Sequence, residues 1–165
     1  QIYMYKDLSE INSRHGPEPL EKDFTREWLL LNLKKKKRNI KALLLDQSFV
    51  SGLGNIYVDE SLWESEIHPN SISCAIPKEK IFKLHHAIQN ILSEAIKQLG
   101  TTFISFSFLN GMSGNYSNEL KIFGKQGETC RNCDSIIKKI KVAGRGTHVC
   151  TKCQKTHKPR KKHQG

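Results

Sequence analysis

A chain of 165 residues has room for one ordinary domain and a small second one, and its 37% hydrophobic fraction permits a folded core but offers no apolar run near the length of a membrane span. The net charge of +11 is unevenly placed: residues 121–165 carry 13 of the 27 Lys and Arg but only two of the 16 acids, Glu128 and Asp134, so the first 120 residues are neutral. A local positive field of this kind favours a polyanion, most commonly nucleic acid, whereas a solubilising tail accounts for Lys158 to Lys162 but not for the lysines upstream.

Gln1 to Tyr5 reads as a short strand, and Gly16-Pro-Glu-Pro19 as a linker that cannot be helical. Thr25 reads as the N-cap of a helix running to about Lys37, with Trp28, Leu29, Leu31 and Leu33 supplying apolar surface. Lys34 to Arg38 ends it. Those cations suit a helix C-terminus and equally suit a phosphate-facing role. Ile40 to Asp46 is a short apolar helix. The turn Ser51-Gly-Leu-Gly54 leads into a helix from Asn55 through Trp63, which ends near Ile67-His-Pro69. Pro77 introduces the longest helix, roughly Lys78 to Leu99. There Ile81, Leu84, Ile88, Ile91, Ala95 and Leu99 recur at helical spacing, and Gly100 is the expected C-cap. His85 and His86 read as surface or interface residues of this helix. Residues 101–118 change character, with a Gly/Ser/Asn-rich second half that reads as a mobile loop.

Four cysteines then follow as C-x2-C, sixteen residues, C-x2-C: Cys130, Cys133, Cys150 and Cys153. A two-residue gap lets both thiolates of a pair face one point from a tight turn. Two such knuckles make the closed tetrahedral sulfur cage that a structural Zn2+ prefers. A pair of disulfides is the other reading, but disulfide frameworks rarely combine two knuckles in this way. Between the pairs, Ser135 to Val142 and Thr147 to Val149 read as strands around Ala-Gly-Arg-Gly, with Arg145 at the tip between Gly144 and Gly146. The expected fold class is mainly α, a helical domain followed by a small zinc-bound β-hairpin domain. Cys74 stands outside the set. A lone thiol suits a reducing compartment. The expected location is cytoplasmic, nucleoid-associated.

The turn Gly52-Leu-Gly54 feeds straight into a helix N-terminus, where unpaired N–H groups and the positive dipole end make an anion site. Asn55 sits at this mouth with an amide that can donate to a phosphate oxygen, and Lys41 can add a cation on the same side. An ordinary helix corner with Asn55 as N-cap is the simpler reading of those residues alone.

Taken whole, the constellation resembles the C-terminal half of the formamidopyrimidine-DNA glycosylase family. The matching pieces are Gly16-Pro-Glu-Pro-Leu20, Ile40-Lys41 with Leu44-Leu-Asp-Gln47, Gly52-Leu-Gly-Asn-Ile-Tyr57 with Glu60, Ile67-His-Pro69, Gly100-Thr-Thr102, Glu119-Leu with Gly124, and the zinc segment through Gly144-Arg145. The resemblance implies a helix-two-turn-helix domain plus zinc finger. It implies removal of oxidised purines, such as 8-oxoguanine and formamidopyrimidines, with cleavage of the backbone as an abasic-site lyase. Lys41, Asn55 and Arg145 match residues that grip phosphates flanking a flipped-out nucleotide. Glu60 matches a buried or site-supporting acid, and residues 101–118 match the region that caps the extruded base. The domain division expected on this basis is 1–20 as a remnant strand and linker, 21–120 as the helix-two-turn-helix domain, 121–156 as the zinc finger and 157–165 as a basic tail. The expected partner is double-stranded DNA, preferably damaged or abasic, bound by a monomer without membrane contact.

The sequence departs from the family at three places. The family nucleophile is an N-terminal proline followed by glutamate on a separate β-rich domain; this chain begins with Gln1, and Pro17 is internal, so its nitrogen is an amide that cannot form a Schiff base. A fragment or truncated product that binds DNA without catalysing is therefore expected. Ile104-Ser105 and Gly111-Met-Ser-Gly-Asn115 also differ from the usual capping sequence. A non-enzymatic zinc-ribbon nucleic-acid factor explains the cysteines and the charge equally well, but not Gly52 to Tyr57. A zinc module joining protein partners would leave the charge incidental.

Overall fold

The computed structural model describes residues 16–102 and 120–159. The expectations for Gln1 to Tyr5, for the capping region beyond Thr102, for Glu119 and for residues 160–165 lie outside these.

The fold is mainly helical, followed by a small β-hairpin. Helix α1, Arg26–Lys34, starts at Thr25, whose hydroxyl accepts from the Trp28 N–H at 3.0 Å. Leu29 and Leu33, one turn apart, are buried, whereas Leu31 is 57% exposed on the opposite face, so it does not belong to the apolar side expected for it. The helix stops at Lys34, three residues short of the expectation. Lys34 Nζ donates to the carbonyls of Cys74 and Ile76, and the chain beyond it turns into an antiparallel bridge between Asn39 and Ile72.

Asn39 caps α2, Ile40–Leu45, by accepting from the Ala42 N–H at 2.9 Å. Helix α3, Asn55–Glu64, is the central wall of the molecule. Val58 and Leu62 enter the main core with Phe24, Leu29, Leu33 and Leu44, while Trp63 packs on Ile122, Cys130, Ile137 and Cys150 of the hairpin unit. One helix therefore contributes to both cores. A short 3-10 turn, Ser73–Ala75, precedes α4, Lys78–Thr102. Ile81, Leu84 and Ile88 of α4 are fully buried, and Ala95 closes a third small cluster with Leu120. The helix runs through Gly100 instead of ending there. A glycine within a helix costs only about 1 kcal/mol relative to alanine, which so long an amphipathic helix tolerates. His85 stacks on Phe24 at 4.9 Å, and one ring nitrogen lies 2.8 Å from the Phe24 carbonyl.

Strands β1, Lys138–Val142, and β2, Arg145–Val149, pair antiparallel with Val142 opposite Arg145. The turn is Ala143-Gly144, both at positive φ, the two-residue primed turn that matches strand twist. Arg145 is thus the first residue of β2, not the turn tip. The linker is tied down as well. The Gly16 N–H donates to Gln47 O at 3.0 Å and the Ser51 N–H to Pro17 O at 3.1 Å; a Cβ on Gly16 would lie 1.9 Å from the Phe49 carbonyl oxygen, so only glycine fits.

Candidate nucleic-acid interface and metal centre

The turn before α3 depends on Gly52 at φ +86°, a left-handed conformation that other residues rarely accept. Its N–H donates to the Gln47 side chain at 2.8 Å. Gly54 is the N-cap and provides no side-chain cap, and a Cβ there would project into open space. The helix mouth is left unobstructed at the positive end of its dipole. Asn55 is the first helical residue, which corrects the reading of it as an N-cap. Its Nδ2 donates to Gly146 O at 3.3 Å, reaching the hairpin across 91 positions of sequence, while its buried Oδ1 has no partner. Arg145, the residue before Gly146, is exposed, and its charge lies near enough to act on the Lys41 ammonium. A cleft of about 260 Å³, lined by Pro19, Leu20, Gly52, Tyr57, Leu92 and Ala95 among others, opens beside the same turn.

Lys41 occupies a different position from the one expected of a free cation. It is fully buried, and its ammonium donates to Asp59 Oδ1 at 2.7 Å, Thr147 Oγ1 at 2.7 Å and Gly146 O at 3.3 Å. Three acceptors match its three hydrogens. Burial pushes the ammonium below the usual lysine range; the Asp59 carboxylate opposes this, and the positive charge of nearby Arg145 adds to it. Asp59 uses its other oxygen on the hairpin. Oδ2 accepts from the His148 N–H at 3.0 Å and lies 3.3 Å from His148 Nδ1. The Thr147 hydroxyl donates to Arg145 O at 2.9 Å. A buried ion pair between α2 and α3 thus grips the backbone of 145–148, and the strand carrying Arg145 is set in place by it.

Glu60 anchors the other approach to the finger. Its carboxylate accepts from the backbone N–H groups of Lys121, Ile122 and Phe123 at 2.8–3.1 Å. Neighbouring acids on α3 therefore have separate tasks. Asp59 holds β2 at His148, and Glu60 holds the stretch 121–123 leading into the knuckles.

The four cysteine sulfurs lie within 4.8 Å of one another and are free thiols. Four sulfurs each about 2.3 Å from one Zn2+ stand roughly 3.8 Å apart. Cys130 and Cys153 are 3.8 Å apart and Cys133 and Cys150 3.3 Å, too far for disulfide bonds. The Ser135 hydroxyl and N–H hold the Cys133 thiol down to about 6, whereas burial pushes Cys150 and Cys153 up. Four crowded soft donors suit a divalent cation, which would draw all of them into the thiolate form. The donor set fits a structural Zn2+, held by Cys130, Cys133, Cys150 and Cys153, that would fix the knuckles against Trp63.

The profile of the Formamidopyrimidine-DNA glycosylase H2TH domain matches residues 15–107, more than half of the chain. The chain belongs to the formamidopyrimidine-DNA glycosylase family. A second profile, the zinc finger found in FPG and IleRS, matches residues 127–156. The chain is 49% identical over 146 residues to the formamidopyrimidine-DNA glycosylase of Lactobacillus johnsonii, covering 88% of this chain and 53% of that protein. It is 51% identical over 143 residues to that of Lactobacillus helveticus, covering 87% and 52%. Among solved structures, the Lactococcus lactis glycosylase in complex with DNA containing an abasic site aligns with a TM-score of 0.79 at 44% identity, over 90% of this chain and 54% of that one. The same enzyme with formamidopyrimidine-containing DNA gives 0.78 at 43%, again over 90% and 54%. The chain spans about half the length of the curated relatives it matches.

The four cysteine sulfurs lie together, and Asn55 meets the hairpin at the carbonyl of Gly146, the residue after Arg145. Lys41 reaches the same place from beneath. Asp59, Thr147 and His148 are the network members that sequence reasoning missed. The one signal for them was Asp59 itself, an acid that directly follows the apolar Ile56-Tyr-Val58 stretch.

Proposed function

We propose that this chain is the DNA-gripping half of a base-excision glycosylase and abasic-site lyase that acts on oxidised purines, 8-oxoguanine and formamidopyrimidine among them. The observation that carries the reading is the hydrogen bond between the α3 mouth and the hairpin, Asn55 Nδ2 to Gly146 O, with exposed Arg145 beside it. Two donors from different folding units then face one strand. Chemistry on a base requires taking it out of the stack, at a cost of a few kcal/mol. Holding phosphates on both sides of the extruded nucleotide offsets that cost. Asn55 offers an amide donor, and Arg145 a guanidinium suited to paired phosphate contacts. Lys41 acts beneath them, fixing Gly146 and Thr147 through Asp59. Known relatives bound to abasic-site and formamidopyrimidine DNA support the same assignment. The proposed division is 21–120 for the helix-two-turn-helix domain and 121–156 for the finger. The proposed state is a monomer on DNA, in the nucleoid.

The experiment is fluorescence anisotropy with an intact duplex and one carrying an abasic analogue. Preference for the abasic duplex is expected. Equal affinity for both would favour a general zinc-ribbon binder, and binding to neither would favour a protein-joining module.

A further inference from the structure

The finger profile match ends at residue 156, yet the chain there does not leave the molecule. Lys155 bridges Ile67 in parallel: its N–H donates to Glu66 O at 3.2 Å and its carbonyl accepts from the His68 N–H at 2.9 Å. His157 continues the strap. Its carbonyl accepts from the Ile72 N–H at 2.8 Å, and its own N–H donates to Ser71 Oγ at 3.0 Å. On the other side of Ile72 lies Asn39, with the Ile40 N–H donating to Ser71 O and the Ser73 N–H to Arg38 O, both at 2.8 Å. Ile72 is therefore the middle rung between two segments more than a hundred residues apart in sequence. Neighbouring strands sit about 4.8 Å apart, so the outer two are roughly 10 Å from each other.

Each outer segment carries lysines. Lys35, Lys36 and Lys37 precede Asn39, Lys155 and Lys158 flank His157, and all five are exposed. The nearby carboxylates are already engaged. Asp46 pairs with Arg38 at 3.0 Å, and Glu66 with Lys80 and Lys83 at 2.7 and 3.2 Å. Among the described residues none of the five lysines has a carboxylate partner. Burial first, and then Lys158, pushes His68 below the usual histidine range; burial, then Lys155 and Lys80, does the same to His157. The strap docks at the far end of α3 from Asn55, and a ten-residue helix is about 15 Å long. Phosphates met here are not those held at the helix mouth.

We infer that Lys35, Lys36 and Lys37 together with Lys155 and Lys158 form a second, lesion-independent binding surface for the phosphate backbone of duplex DNA. The inference rests on the reading of DNA as the partner, and it adds a foothold outside the lesion clamp. Either lysine run alone would be an ordinary solvated stretch; the shared ladder on Ile72 is what makes them one surface.

The test uses the full chain with Lys36→Gln, Lys37→Gln and Lys158→Gln combined. Binding to intact and abasic-analogue duplexes is measured over a series of salt concentrations. Affinity for both duplexes should fall by the same factor, and the slope of log K against log salt should become shallower by about 0.9 for each phosphate that is no longer neutralised. A control with Lys22→Gln, Lys78→Gln and Lys97→Gln removes the same charge elsewhere and should leave the slope nearly unchanged. An unaltered slope in the first variant, an equal change in the control, or a selective loss of abasic preference would each overturn the inference. Failure of the lesion-clamp reading appears separately, as equal affinity of the unsubstituted chain for the two duplexes.

Discussion

Replacing Asp59 by alanine leaves the Lys41 ammonium in a fully buried site without its counter-ion, 2.7 Å from where the carboxylate stood. Breaking one partner of a buried pair costs about 3–5 kcal/mol. The His148 N–H also loses its acceptor, so the upper part of that range applies. The loss falls on the seam between α3 and the hairpin, and its first consequence is undocking of the finger. Trp63 reports this seam, because it packs on Ile122, Cys130 and Cys150, whereas Trp28 packs against the helical core. With Trp28→Phe as background, urea unfolding followed by Trp63 emission should show an earlier transition in the Asp59→Ala protein. The double variant Lys41→Met, Asp59→Leu removes both charges and should recover much of the stability. It should not recover DNA affinity, because Gly146 O and Thr147 Oγ1 no longer have the ammonium that fixes them. A destabilisation by Asp59→Ala below about 1 kcal/mol, the range of exposed pairs, would mean that the buried pair does not hold the finger in place.

Arg145→Ala should lower affinity for the abasic-analogue duplex by about 1–3 kcal/mol, the scale of a charged hydrogen bond, with zinc content and melting temperature unchanged; titration calorimetry and elemental analysis read both. Cys130→Ser, or treatment with a zinc chelator, should unfold the hairpin while leaving most helical circular dichroism, because metal binding supplies the folding free energy of such units. Thr25→Ala should cost about 1 kcal/mol of stability through loss of the α1 cap, read by chemical denaturation. Asp46 is held down to about 2, chiefly by the Ser48 hydroxyl and N–H and then by Arg38. Its folded pKa lies below its unfolded value of 3.8, so the stability it lends is complete above about pH 4 and lost as pH falls towards 2. Carboxyl NMR titration should place its midpoint there, and Ser48→Ala should raise it.

Features whose physics is local were legible in the chain itself. The two C-x2-C knuckles needed only their spacing, since a pair of thiolates two residues apart converges from one turn. Thr25 before a helix and the apolar repeat of Ile81, Leu84 and Ile88 are similarly short-range statements. The glycines before Asn55 marked a helix mouth for the same reason. Gly100 misled because a lone glycine is only a mild local penalty, which the rest of a long helix overrides.

Tertiary structure alone decided what faces what. Lys41 in Ile40-Lys-Ala-Leu-Leu-Leu45 reads as a surface cation, and becomes buried because its acceptors come from α3 and from Gly146 and Thr147, more than a hundred residues away. Asp59 and Glu60 are neighbours in sequence with partners on different segments, a distinction that only the folded backbone makes. The convergence of Lys41 and Asn55 on Gly146 O, and of the segments at Asn39 and His157 on Ile72, follows equally from packing. Sequence spacing fixes groups that meet within a turn or two; contacts closed by long loops depend on which surfaces the two cores bring together.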